Sequence, residues 1–291
     1  MKIMHNTFID TYRNELILCI HQAVKEDWSN HGDHTSKAIF PTAHQSKATL
    51  FAKQDGVLAG VAFCKLVLEL YAPEVKLTSF VEDGTPFCKG DALFTLAGST
   101  QLILSLERIL LNAIQRMSGI AMATNSVQQL INHTSCKVLD TRKTTPNFRI
   151  AEKWAVGIGG GVNHRMGLYD AMMLKDNHID FCGGLSAALE KTKYYCDSLP
   201  NSIPVIVETR TLEEVAVCLE HPWISRVLLD NMTPKQLREA VSFIDGKLPT
   251  EASGNITPET IVSYAETGVD YVSLGYITHS APIVDVSLRA S

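Results

Sequence analysis

Six short apolar runs constrain this chain more than anything else in it. KVLD at 137–140, MMLK at 172–175, VIVE at 205–208, VLLD at 227–230, TEAS at 250–253 and YVSL at 271–274 each close on a polar or small residue or run straight into one. Segments with helical spacing fit between them, at 186–195, 212–220, 234–244 and 258–267. Strands covered on both faces read as continuous apolar runs, and strands that alternate with helices build a parallel sheet. Functional side chains gathered at strand C-terminal ends are the mark of a TIM-like α/β barrel, whose site is made on that face. A doubly wound open sheet is the alternative. It is disfavoured because the first run lacks a GxGxxG turn while polar ends recur along the series. The expectation is a barrel with six or seven strands.

The chain before this series has a different texture. Residues 8–25 set Leu16, Ile17, Ile20 and Val24 at helical spacing. Asp33 and His34 follow in a polar turn, where they read either as loop residues bonding the backbone or as metal ligands. Alternation over 46–58 is interrupted by Asp55-Gly56, a hairpin signal. A helix over 60–71 and strands at 75–81 and 92–97 complete an α+β unit. A long helix over 102–131 comes next, with Ser118-Gly119 as a possible break. Glu107-Arg108 interrupts its apolar face and has two readings: a solvent-facing charge pair, or an arginine delivered across an interface.

Charge and cysteine usage exclude several functions. A net charge of −5 argues against non-specific binding to nucleic acid or to an anionic membrane. The 7 cysteines are scattered, odd in number and without a CxxC pair, as expected of reduced thiols rather than a zinc site. No signal-peptide pattern opens the chain, and Glu107, Arg108 and Arg116 break its most apolar long stretch. A cytoplasmic protein is expected.

Against that mildly acidic background, residues 139–179 collect Arg142, Lys143, Arg149, His164, Arg165 and Lys175 around the glycines 159–161. Arginine forks grip carboxylates in a bidentate way that lysine cannot. Glu208 and Asp230 close two further runs and supply acceptors for Mg²⁺ or for sugar hydroxyls. Ser253, Gly254 and Gly275, at the last two runs, are small enough for their backbone N–H groups to approach a phosphate. Cations for carboxylates, acids for a metal-bound polyanion and a phosphate cradle together suit a phosphoribosyl transfer.

The run DTRKTTPNFRIAEKWAVGIGGGVNHRMGLYDAMMLKDNHI resembles the signature of the quinolinate phosphoribosyltransferase family, the decarboxylating nicotinate-nucleotide pyrophosphorylases. EDWSNHGDHTS, DGVLAG, ERILLNAIQRMSGIA, LLDNM, EASGNI and TGVDYVSLGYITHS extend the resemblance over nearly the whole chain. It implies an N-terminal α/β sandwich over 1–113, joined by the tail 277–291, and an incomplete α/β barrel over 114–276. It implies a homodimer with shared active sites. The implied reaction converts quinolinate and phosphoribosyl pyrophosphate, with Mg²⁺, to nicotinate mononucleotide, pyrophosphate and CO₂, as in NAD biosynthesis.

By the same resemblance Thr141, Arg142, His164, Arg165 and Lys175 fall on quinolinate-binding positions, and Arg108 on the arginine given by the neighbouring subunit. Lys143, Glu208 and Asp230 fall on positions facing phosphoribosyl pyrophosphate and its metal. Lys143, Lys175, Glu208 and Asp230 are the catalytic candidates, Glu208 and Asp230 the metal ligands, and Ser253, Gly254 and Gly275 the 5′-phosphate cradle. His164 and Lys175 both remain candidates for the proton that replaces CO₂.

Three positions depart from the family pattern: Asn255 and Asn147, where glycine is usual, and the surroundings of Glu208, where Ile206 and Arg210 stand in a strand that tends to be more acidic. Rival readings are a Schiff-base lyase or aldolase built on Lys143 or Lys175, a paralogous phosphoribosyltransferase with another substrate, and a non-catalytic dimeric binding protein.

Overall fold

A computed structural model describes residues 2–291, with side chains from residue 8 onward. In chain order the first elements are α1 (Lys2–Trp28), α2 (His34–Ile39), β1 (Gln45–Ala52), β2 (Gly56–Val57), α3 (Val61–Tyr71), β3 (Lys76–Ser79), β4 (Pro86–Phe87), β5 (Ala92–Ser99) and α4 (Thr100–Leu130). β6 (Lys137–Leu139), α5 (Arg149–Ile158), β7 (Met172–Leu174), α6 (Asp176–Cys182), α7 (Leu185–Ser198), β8 (Val205–Thr209) and α8 (Leu212–Leu219) follow. β9 (Arg226–Asp230), α9 (Pro234–Ile244), β10 (Thr250–Ser253), α10 (Ile261–Ala265), β11 (Tyr271–Ser273), α11 (Tyr276–His279) and β12 (Val286–Ala290) complete the chain. Packing divides it into two units: Met1–Asn125 with Thr144–Gly160 and Ile277–Ser291, and Ser126–Lys143 with Gly161–Tyr276.

The first unit is built on an antiparallel sheet in the order β12-β1-β5-β3. The C-terminal strand pairs with β1, Ala48 opposite Ala290 and Ala52 opposite Val286. Asp33 caps α2, its Oδ1 accepting the Ser36 N–H at 3.1 Å, which is the loop use of this residue. The expected hairpin at Asp55-Gly56 does not form. The Asp55 carboxylate accepts the Lys89 N–H at 2.8 Å and draws the chain off the sheet, so β2 pairs with β4 instead of β1. Nor does α4 break at Ser118-Gly119. It runs through, because Gly119 serves close approach: a Cβ there would lie 1.9 Å from the Pro282 carbonyl oxygen.

The second unit is a six-stranded sheet in the order β6-β11-β10-β9-β8-β7, parallel at every pairing. All six apolar runs become its strands. Val138, Leu139, Val207, Leu229, Ala252 and Val272 are fully buried, as strands covered on both faces require. β6 and β7 stand at the two ends of this order, and beside β6 the chain makes only the single parallel bridge Leu139–Val162. The six parallel strands are therefore an unclosed α/β barrel.

Helix α10 is shorter than its apolar spacing suggests, since 258–260 form a turn, with the Thr260 hydroxyl accepting the Thr257 N–H at 3.0 Å. Two helices within 139–179 are not apparent from the polar sequence. α5 buries Ala151, Trp154, Ala155 and Ile158 in the first unit. α6 starts directly after Lys175, whose N–H donates to His178 Nδ1 at 3.0 Å, so KDNH is a helix start rather than a plain loop.

Candidate active site

The C-terminal ends of the parallel strands carry nearly every predicted site residue. At the end of β6, Asp140 is completely buried. Its Oδ1 accepts the His164 backbone N–H at 2.8 Å, and its Oδ2 accepts from Asn163 Nδ2 at 2.7 Å. One carboxylate therefore ties the strand end to the turn that carries His164 and Arg165. Just beyond it, the Thr141 hydroxyl accepts the Lys143 N–H at 3.0 Å and bends the chain so that Arg142 and Lys143 stand exposed.

Arg165 donates from Nη1 to the Ala171 carbonyl at 3.1 Å. Partial burial, and after it the proximity of Arg142, lower the basicity of its guanidinium. An arginine whose charge is disfavoured by burial and by a second arginine gains from a nearby anion. On the other side of the sheet, Lys175 Nζ is 3.4 Å from Glu208 Oε2. Burial raises the Glu208 carboxyl, Lys175 opposes that, and Asp230 pushes it further up. Glu208 and Asp230 are thus near enough to repel, which a cation would relieve. Lys175 is half-exposed beside a carboxylate, unlike a Schiff-base lysine, which works from a desolvated apolar pocket or beside another cation.

The last strands hold the small residues. Gly254 has φ +101°, and a Cβ there would come within 2.2 Å of Asn231 Oδ1, so only glycine fits. Asn231 ties the end of β9 to the end of β10: its N–H donates to the Ser253 carbonyl at 2.9 Å, its Nδ2 to Asp230 Oδ2 at 2.6 Å, and its Oδ1 accepts from Asn255 Nδ2 at 3.4 Å. Asn255 and Asn147, the two replacements for glycine, have φ of +51° and +63°, a region asparagine tolerates better than most residues. Gly275 follows β11 and leads into α11. The departure Arg210 donates to both Asp180 oxygens, at 3.1 and 3.2 Å, and so clamps α6 to the end of β8.

Thr141, Arg142, Lys143, His164, Arg165, Lys175, Glu208, Asp230, Ser253, Gly254 and Gly275 all belong to the second unit. Arg108 belongs to the first, exposed on α4, with its Nη2 3.5 Å from Glu107 Oε1. Sequence reasoning missed Glu251, which is fully buried in β10 and lies 3.4 Å from His164 and 3.3 Å from Arg226. The signal was there in TEAS, since a glutamate inside an apolar strand must have a basic partner. It also missed Asn231, whose only sign was its place after a strand-end aspartate.

Comparison with known proteins bears on this arrangement. The family model for the quinolinate phosphoribosyl transferase C-terminal domain matches residues 120–289, and that for the N-terminal domain matches residues 33–118. The chain is 42% identical over 281 residues to a mitochondrial quinolinate phosphoribosyltransferase [decarboxylating] of Nicotiana glauca, covering 92% of this chain and 80% of that one. It is 40% identical over 289 residues to the chloroplastic nicotinate-nucleotide pyrophosphorylase [carboxylating] of Arabidopsis thaliana, covering 94% and 82%. The solved nicotinate-nucleotide pyrophosphorylase from Francisella tularensis superposes with a TM-score of 0.87 at 34% identity, over 96% of each chain.

Proposed function

This chain belongs to the quinolinate phosphoribosyl transferase family, and from that premise we propose how its residues divide the reaction. It is an enzyme of NAD biosynthesis that joins quinolinate to the phosphoribosyl group and releases pyrophosphate and CO₂. The observation that carries the division of labour is the pair Arg142 and Arg165, two cations at adjoining turns, where partial burial and then the nearby Arg142 lower the basicity of the Arg165 guanidinium.

In this reading Arg142, Arg165 and Lys175, with Thr141 and His164 beside them, hold the two carboxylates of quinolinate. Arg108 of a neighbouring subunit in a homodimer completes their neutralisation. Lys143 faces the pyrophosphate, and Ser253, Gly254 and Gly275 offer backbone N–H groups to the 5′-phosphate. Glu208 and Asp230 suit Mg²⁺, which binds through one or two carboxylates and substrate phosphates rather than in an all-protein cage. When bound, it supplies positive charge to the leaving pyrophosphate. The seven unpaired thiols support a cytoplasmic setting, and no helix among the described residues is long and apolar enough to cross a membrane.

Both substrates are anions, so the protein's task is to neutralise and align them. The pyridine nitrogen forms a bond to C1 of the ribose as the C1–O bond to pyrophosphate breaks. When CO₂ departs, its bonding pair stays on C2 as a carbanion stabilised by the adjacent pyridinium nitrogen, and a proton then adds to that pair. The test is an assay with quinolinate, phosphoribosyl pyrophosphate and Mg²⁺, following pyrophosphate and CO₂ together. Equal release of the two is expected. Turnover with another pyridine acid but none with quinolinate overturns the substrate assignment.

A further inference from the structure

Buried charge in the second unit is concentrated at a place the scheme above does not use. Glu251 is fully buried, and neither of its carboxylate oxygens has a well-aligned hydrogen-bond donor. Two basic side chains crowd one oxygen instead: Arg226 Nε from β9 at 3.3 Å, and His164 Nε2 at 3.4 Å. Arg226 is itself held, its guanidinium 4.8 Å from the centre of the Tyr271 ring on β11. Ser273, on the same strand, is the other polar side chain acting on Glu251, and Asp140 at the end of β6 accepts the His164 backbone N–H. Burial alone would raise the Glu251 carboxyl, but His164 and Arg226 outweigh it and hold it below the usual range. Removing either partner of a buried ion pair leaves an uncompensated charge, so the two basic side chains and Glu251 hold one another in place.

The other ring nitrogen fixes what His164 can do. Nδ1 accepts the Arg165 backbone N–H at 2.7 Å, so the lone pair lies there and the ring proton lies on Nε2, toward Glu251. Arg226 balances the carboxylate, and the imidazole closes the trio as a neutral donor. The same hydrogen bond ties the ring to the peptide N–H of Arg165, the next residue in the chain.

Building on the reading of Arg165 as a quinolinate contact, we infer that Glu251 and Arg226 are positioning residues which lock His164 as a neutral, Nε2-protonated strut aiming Arg165 at the substrate carboxylate. His164 is then not the acid that protonates C2.

Nitrogen NMR of the full chain with labelled histidine, using His164→Gln to assign the signals, reads the tautomer without any substrate. An Nε2–H pattern is expected, and an Nδ1–H or imidazolium pattern overturns the inference even if the enzyme uses quinolinate as proposed. Kinetics follow once the wild type releases pyrophosphate and CO₂, so failure of the functional reading is seen separately. Glu251→Gln is expected to raise KM for quinolinate about tenfold and leave that for phosphoribosyl pyrophosphate within about twofold. Equal changes in both, or none, overturn it. Should Glu251→Gln not fold, Arg226→Lys loses the planar fork and its stacking but keeps the charge, and the same split between the two KM values is expected.

Discussion

A carboxylate kept from water must be balanced by its neighbours, and the balance depends on pH in a way that can be measured. The folded-state pKa of Glu251 lies below the ordinary glutamate value. In the acid window the folded form therefore holds fewer protons than the unfolded form. The stabilisation from this group is complete above the ordinary value, and it is lost as pH falls through the depressed one. Glu251→Gln should accordingly flatten the acid limb of a stability–pH curve, by up to about 1.4 kcal/mol per pH unit in that window. Urea melts at a series of pH values would show it, and an unchanged acid slope would count against the lowered pKa. On the proposed reading, Arg142→Ala removes one of the forks that grip quinolinate. We expect kcat/KM for quinolinate to fall roughly 10²-fold, while binding of phosphoribosyl pyrophosphate, followed by calorimetry, is nearly unchanged. Near-normal turnover would sink the assignment of Arg142 to the dicarboxylate.

At the scale of elements, a glycine in a helix has two opposite meanings, and this chain contains both. Gly119 lies within α4, where a Cβ would meet the Pro282 oxygen, whereas Gly157 lies in α5 with nothing within 4 Å of such a Cβ. On propensity alone either Gly→Ala change gains up to about 1 kcal/mol. Gly157→Ala should realise that gain and Gly119→Ala should reverse it, as thermal melts of the two variants would reveal; stabilisation by both would refute the close approach. This contrast also explains what the sequence disclosed. A glycine seen in sequence could not say which meaning it had, so a break was expected where the helix in fact continues. The six strands were legible because burial on both faces writes itself as an apolar run. The strand-end residues came with them, through the rule that parallel sheets work at that end. The Asp55-Gly56 hairpin misled because the competing partner of Asp55 is the N–H of Lys89, 34 residues away in the chain. Glu251 and Asn231 escaped notice because their importance lies in contacts between strands, which no local pattern records.

For the whole molecule, the question is how many chains make one site. Arg108 lies in the first unit, exposed, and among the described residues its ion pair is a long contact to the neighbouring Glu107, while the other residues proposed to bind the anions lie in the second. An exposed pair of this kind adds little stability, so its arginine can serve a partner without loss to its own chain. In a two-fold dimer each interface contact occurs twice, and a site built from Arg142 of one subunit with Arg108 of the other has a twin with the roles exchanged. Arg108→Ala and Arg142→Ala would each abolish both sites of a homodimer. In a mixed dimer one site collects both substitutions and its twin collects neither. Random assembly of equal amounts makes half the dimers mixed, so co-expression should restore about a quarter of wild-type activity. If each subunit used its own Arg108, every site in the mixture would carry one substitution and no activity would return. Recovery near a quarter, from two variants that are inactive apart, therefore measures the sharing itself.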